Sequence, residues 1–154
     1  MKDKKLILIS LYHPNSALTN RFLAFVKAYG ELGIDTKVYF VELNQKYERV
    51  QDKYENVEFV YVLSKFRTKN KYIRFLVTLL SVFYLLFKIE KDSKVIVYGL
   101  SDFLRLISYR KDFEIYHERT EHPDVVGRRK GIIGKFLYKQ YLKSFKELKG
   151  LFVI

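Results

Sequence analysis

"KLILISL", Lys5 to Leu11, is an almost unbroken apolar run near the start of the chain. A strand with one wet face alternates apolar and polar residues. A run without alternation is what a strand covered on both faces requires, and such strands belong mainly to parallel sheets. Further runs of the same kind follow. Thr36–Leu43, Asn56–Leu63, Lys94–Gly99 and Phe113–His117 are short, apolar and rich in β-branched or aromatic residues, and "LFVI" (151–154) opens a sixth.

Helical segments lie between them. "RFLAFVKAYGELG" carries apolar residues at Phe22, Phe25, Val26 and Tyr29, with Thr19 or Asn20 as N-cap and Gly33 as a C-terminal stop. A long helix is predicted over about Lys71 to Lys88, a short one over Ser101–Arg110 capped by Ser101 or Asp102, and an amphipathic one over Gly134–Gly150. Strands alternating with helices predict an α/β fold: one doubly wound, Rossmann-like parallel sheet with helices on both faces, residues 1–154 forming a single domain.

The composition fits a packed domain, with 49% hydrophobic and 17% aromatic residues among 154. There are 29 Lys and Arg against 17 Asp and Glu, a net charge of +12, which implies attraction to something anionic: nucleic acid, a lipid surface or a phosphorylated ligand. The absence of cysteine removes disulfides and thiolate chemistry and fits a cytoplasmic protein. The apolar run Leu6–Leu11 is too short for a signal peptide. "FLVTLLSVFYLLF", Phe75 to Phe87, is uncharged but shorter than the roughly 20 residues that span a bilayer. It reads as a buried helix, with an interfacial helix as the alternative.

Several motifs fail on inspection. The loop after the first strand, "YHPNSALTN", has no glycine and so lacks the dinucleotide-binding fingerprint. "GRRKGIIGKF" misses a phosphate-binding loop at Arg129 and Phe136, and two isoleucines weaken its likeness to a Gly-x-x-Gly nucleic-acid clamp. "HERTEH" offers His117 and His122, but their spacing puts them on opposite faces of a strand and far apart around a helix, so no metal is expected.

What remains of "EIYHERTEHPDVVG" (114–127) is a dense set of titratable groups after an apolar strand. It is either a solvated loop or a ligand site. In an open parallel sheet, ligands bind beyond the carboxyl ends of the strands, near the reversal of strand order. Three segments are expected there: Tyr12–Asn20, Gly99–Asp102 and His117–Gly127. Their polar side chains are the candidate substrate contacts: His13, Asn15, Ser16, Asn20, Ser101, Asp102, Glu118, Arg119, Thr120 and Glu121.

Taken together, "KKLILISLYHPNSALTNRFLAFVKAYGELGIDTKVYFV", "VIVYG" and "IYHERTEHPDVV" followed by "LKGLFVI" resemble the N-terminal half of a GT-B glycosyltransferase of the family 4 type. The resemblance covers the whole chain. It implies transfer of a sugar from a nucleotide-sugar donor to a glycan or lipid-linked acceptor, in a cleft between this acceptor-side domain and a donor domain beyond Ile154. The 154-residue chain alone is then expected to be inactive. The resemblance further implies that His117 is the catalytic residue, contacting the donor sugar, that Arg119 pairs an anionic group, and that Glu118 and Glu121 accept hydrogen bonds from acceptor hydroxyls. Substituting His117 or Arg119 is expected to lower activity with little change in melting temperature. No cofactor is implied, since the nucleotide-sugar is a substrate. The chain departs from the family in its first loop, where "PNSA" stands in place of glycines.

A non-enzymatic basic module for an anionic partner such as nucleic acid is the competing function, supported by the charge but by no recognised motif, and no nucleic-acid partner is expected on the enzyme reading. Finally, Lys135, Lys139 and Lys143 fall on one stripe of the last helix, just after Arg128, Arg129 and Lys130. A basic amphipathic helix of this kind predicts contact with an anionic membrane surface at the cytoplasmic side, against the alternative of an ordinary sheet-covering helix with solvated lysines.

Overall fold

A computed structural model describes residues 5–10, 17–41, 50, 53–62, 70–99, 103–119 and 131–153. Six parallel strands form one sheet: β1 (Leu6–Ser10), β2 (Thr36–Phe40), β3 (Val57–Tyr61), β4 (Lys94–Tyr98), β5 (Glu114–Arg119) and β6 (Gly150–Val153). Their order is β3-β2-β1-β4-β5-β6, so the chain winds outward one way from β1 and then the other way from β4. The doubly wound, Rossmann-like α/β fold is therefore present.

Helix α1 (Ala17–Glu31) covers one face. Its Phe22 and Val26 pack on Leu6, Leu8, Val38, Phe40, Ile96 and Tyr98. Helices α2 (Lys71–Lys88), α3 (Leu104–Ile107) and α4 (Ile132–Ser144) share the other face, where Val82, Leu85, Ile107 and Tyr141 pack on Ile7, Ile9, Val95, Val97 and Ile115. Alternation along each strand divides these two layers. In β1, Leu6 and Leu8 go to α1, while Ile7 and Ile9 go to the other helices.

Several boundaries differ from the sequence reading. Helix α1 begins at Ala17, so Asn20 lies inside its first turn and not at a cap. Alanine is the best helix former, and the polar residues after it do not stop the helix. Helix α2 keeps its predicted limits because Asn70 caps it, its side chain accepting from the amides of Tyr72 (2.9 Å) and Ile73 (3.4 Å). Helix α3 spans four residues only, with Phe103 at its N-cap position; Ser101 and Asp102 lie outside the described residues. Helix α4 gives way to a 3-10 turn over Phe145–Glu147, and β6 starts at Gly150. Gly150 stands where an added Cβ would come within 3.0 Å of the Tyr116 ring, so a side chain there would push against β5.

The long apolar helix is also not a buried one. Only one side of α2 enters the core, through Val77, Ser81, Val82 and Leu85; the opposite side is exposed. Arg110 pins the C-terminal end of α2. Its guanidinium donates to the carbonyls of Leu86 and Ile89 and pairs with Asp112, holding that carboxyl below its usual range.

Candidate functional site

The reversal of strand order lies between β1 and β4, and the carboxyl ends of those strands open the crevice where ligands bind in such sheets. The last row of the sheet in register runs Tyr61, Phe40, Ser10, Tyr98, Glu118, Phe152. Aromatic residues flank Ser10 in that row. The small serine leaves room for Phe22 of α1, which meets Phe40 and Tyr98 edge-on at centroid distances of 5.8 and 4.5 Å. Such edge-to-face pairs fix ring positions as well as burying area. Beyond Tyr98 the chain turns at Gly99 with φ +68°, a conformation that costs glycine nothing and other residues a good deal.

Glu118 continues this row on β5, next to Tyr98. It is only 6% exposed. Immediately before Phe22 on α1 stands Arg21, whose Nη1 is 3.8 Å from Glu118 Oε1. That is an ion pair but longer than a hydrogen bond, and Oε1 has no hydrogen-bond partner among the described residues. Burial raises the proton affinity of Glu118, and Arg21 partly offsets it. Burial, and then the Glu118 charge, push the Tyr98 phenol well above its ordinary value, so Tyr98 stays a neutral hydroxyl. The cluster thus consists of a buried carboxyl able to accept a hydrogen bond or a proton, a half-exposed guanidinium that stabilises its charged form, and a phenol.

Strand β5 runs to Arg119, two residues past the predicted end at His117. His117 and Glu118 are consequently strand residues with opposite orientations. His117 is 1% exposed on the α4 face. Its Nδ1 lies 2.9 Å from the Val97 carbonyl, and its ring meets Tyr141 edge-on at 5.9 Å. The fold therefore brings Glu118 together with Arg21 and Tyr98 and keeps the imidazole of His117 on the other side of the sheet. The backbone of Arg119 pairs with Val153. Asn20 is exposed on α1. His13, Asn15, Ser16, Ser101, Asp102, Thr120 and Glu121 lie outside the described residues, as do Arg128, Arg129 and Lys130.

Sequence reading missed Arg21 and Tyr98. By pattern alone, Arg21 is one basic residue among many and Tyr98 one apolar strand position among many. Only the register of β4 with β5 and the packing of α1 reveal them as neighbours of Glu118. Lys135, Lys139 and Lys143 are exposed on α4, whose Tyr141 and Ser144 are buried against the sheet layer. Among the described residues, no three His, Asp or Glu side chains are grouped so as to hold a metal ion. No helix among them is long and apolar enough to cross a membrane. No protein-family model matches the chain, and no curated protein matches it in sequence.

Proposed function

We propose that this domain is the acceptor-side half of a glycosyltransferase that moves a sugar from a nucleotide-sugar to a glycan or lipid-linked acceptor at the cytoplasmic face of a membrane. The observation that carries the reading is Glu118: a carboxyl of raised proton affinity, backed by Arg21, at the carboxyl end of a strand next to the sheet's reversal point. An attacking sugar hydroxyl must be oriented and relieved of its proton as the bond forms. A desolvated carboxylate with a free lone pair suits both tasks, and one of raised pKa suits the second. Arg21 favours its charged, accepting form. The resemblance of "IYHERTEHP" to the family 4 enzymes points the same way.

The reading requires a second domain to hold the donor, because positioning of two substrates supplies much of the rate of such a transfer. The test is a transfer assay on the complete enzyme with a panel of nucleotide-sugars. Glu118→Gln keeps shape and removes the charge. It is expected to lower kcat/KM at least tenfold, about 1.4 kcal/mol, without loss of thermal stability. Unchanged kcat/KM in that variant removes Glu118 from the reaction; absence of transfer by the parent enzyme with every donor removes the transferase reading.

A further inference from the structure

We infer that the outer face of α2 is a docking surface for an anionic lipid membrane. This inference rests on the exposed faces of α2 and α4 and not on sugar transfer.

Ile73, Leu76, Leu80, Phe83 and Phe87 recur at spacings of three and four, which makes one continuous stripe along the helix. Every one of them is exposed, from 41% at Ile73 to 86% at Phe87. The opposite side of the same helix is in the core. A helix that is apolar all round is ordinarily enclosed on all sides. Here the sheet takes the place that a polar face has in a free amphipathic helix, and the second apolar side is left outside. Isolated exposed apolar residues need no explanation, but a contiguous stripe along most of an 18-residue helix does.

Charge decides what covers it. Helix α2 contains Lys71, Arg74 and Lys88 and no acidic residue. A second copy packed through the same helix would bring no carboxylate of that helix to meet these cations. An anionic leaflet instead complements Lys88 at the end of the stripe, as it does the whole chain at +12. Lys88 extends over the Tyr84 ring, 5.7 Å from its centroid, an aromatic and a cation together at the edge of the stripe, as at membrane–water interfaces. Length points to lying in the interface rather than crossing it. Eighteen residues reach about 27 Å, short of a full span. Helix α4 lies on the same side of the sheet and adds exposed Ile132, Ile133 and Phe136 beside exposed Lys135 and Lys139. The lysines of α4 then supply attraction, and the stripe of α2 supplies the apolar footing.

Co-sedimentation tests this, using vesicles of mixed phosphatidylglycerol and phosphatidylcholine against phosphatidylcholine alone. The chain is expected to bind the anionic vesicles, roughly fivefold or more above the neutral ones, with the difference shrinking in high salt. Leu80→Glu with Phe83→Glu should abolish binding with melting temperature unchanged; Phe87→Ser, at the most exposed position, should weaken it if the double variant folds poorly. Equal binding to both vesicle types overturns the proposal. So does binding that survives both α2 variants but is lost when Lys135, Lys139 and Lys143 become Glu. A chain that ignores vesicles and forms dimers that the α2 variants dissociate assigns the stripe to a second copy instead.

Discussion

Arg21 of α1 and Glu118 of β5 face each other across 3.8 Å although 97 positions separate them in the chain. Glu118 is nearly fully buried, whereas the Arg21 side chain is more than a third exposed. The pair is therefore asymmetric: water can replace Glu118 for Arg21, but nothing in solvent replaces Arg21 for Glu118.

A pH dependence follows from that asymmetry. Burial holds the Glu118 pKa above its unfolded value. Below the unfolded value both states carry the proton and the group is neutral in its effect. As pH rises through the folded value, the native chain must hold a buried anion that the unfolded chain leaves in water, and stability falls. Glu118→Gln removes that loss. Its melting temperature should match the parent near pH 4 and exceed it near pH 8, by a few degrees on a scale of about 2–4 °C per kcal/mol for a domain of this size. A difference independent of pH would show that Glu118 is not desolvated in solution.

His117 behaves differently from the sequence expectation for stability. A buried imidazole bonded to the Val97 carbonyl and packed on Tyr141 cannot be truncated without a cavity. His117→Ala should cost about 2–4 kcal/mol, read as a lower urea midpoint with an unchanged slope. An unchanged midpoint would place the ring outside the core. Activity of this variant is meaningful only at temperatures where it remains folded.

Arg110 is a structural cation. Arg110→Ala strips donors from the Leu86 and Ile89 carbonyls at the end of α2 and frees Asp112. The loss should be about 1–3 kcal/mol in chemical denaturation. Arg110→Lys should recover only part of it, since an ammonium cannot reproduce the planar fork.

Gly30 reverses a helix rule. Gly→Ala inside a helix usually stabilises by up to about 1 kcal/mol. An added Cβ at Gly30 would stand 2.8 Å from Tyr54 Cγ and 3.2 Å from its Cβ, at the root of the ring where rotation gives no relief. Gly30→Ala should lower the melting temperature, on the order of 1–3 kcal/mol of overpacking. Gly30→Ala with Tyr54→Ala should show the helix gain restored relative to Tyr54→Ala alone.

The fold could be read from the sequence because it depends on periodicity. Unbroken apolar runs such as Leu6–Ile9 and Val95–Tyr98 need cover on both faces wherever they sit, and the segments between them repeat at helical spacing. The end of β5 was harder to see. Glu118 and Arg119 are charged, and pattern alone ends a strand at the first charged residue. Their place in the strand depends on β6 pairing beyond β5 and on Arg21 facing the carboxyl, both non-local facts. The exposure of α2 was hidden for a similar reason. Apolar content predicts how much a helix would gain from cover, not how many neighbours the topology supplies.

The parity of β5 bears on how this domain can change in length. One residue inserted between Glu114 and Tyr116 would turn over every later side chain of the strand. The imidazole of His117 would swing toward α1 and its guanidinium, and the Glu118 carboxyl would enter the apolar layer beside Tyr141, without Arg21 to offset its charge. Neither residue would have been substituted, yet both environments would be lost together. Single-residue insertions and deletions are thus barred from β5 even where substitutions are accepted, and length variation is confined to even steps or to the connections between strands.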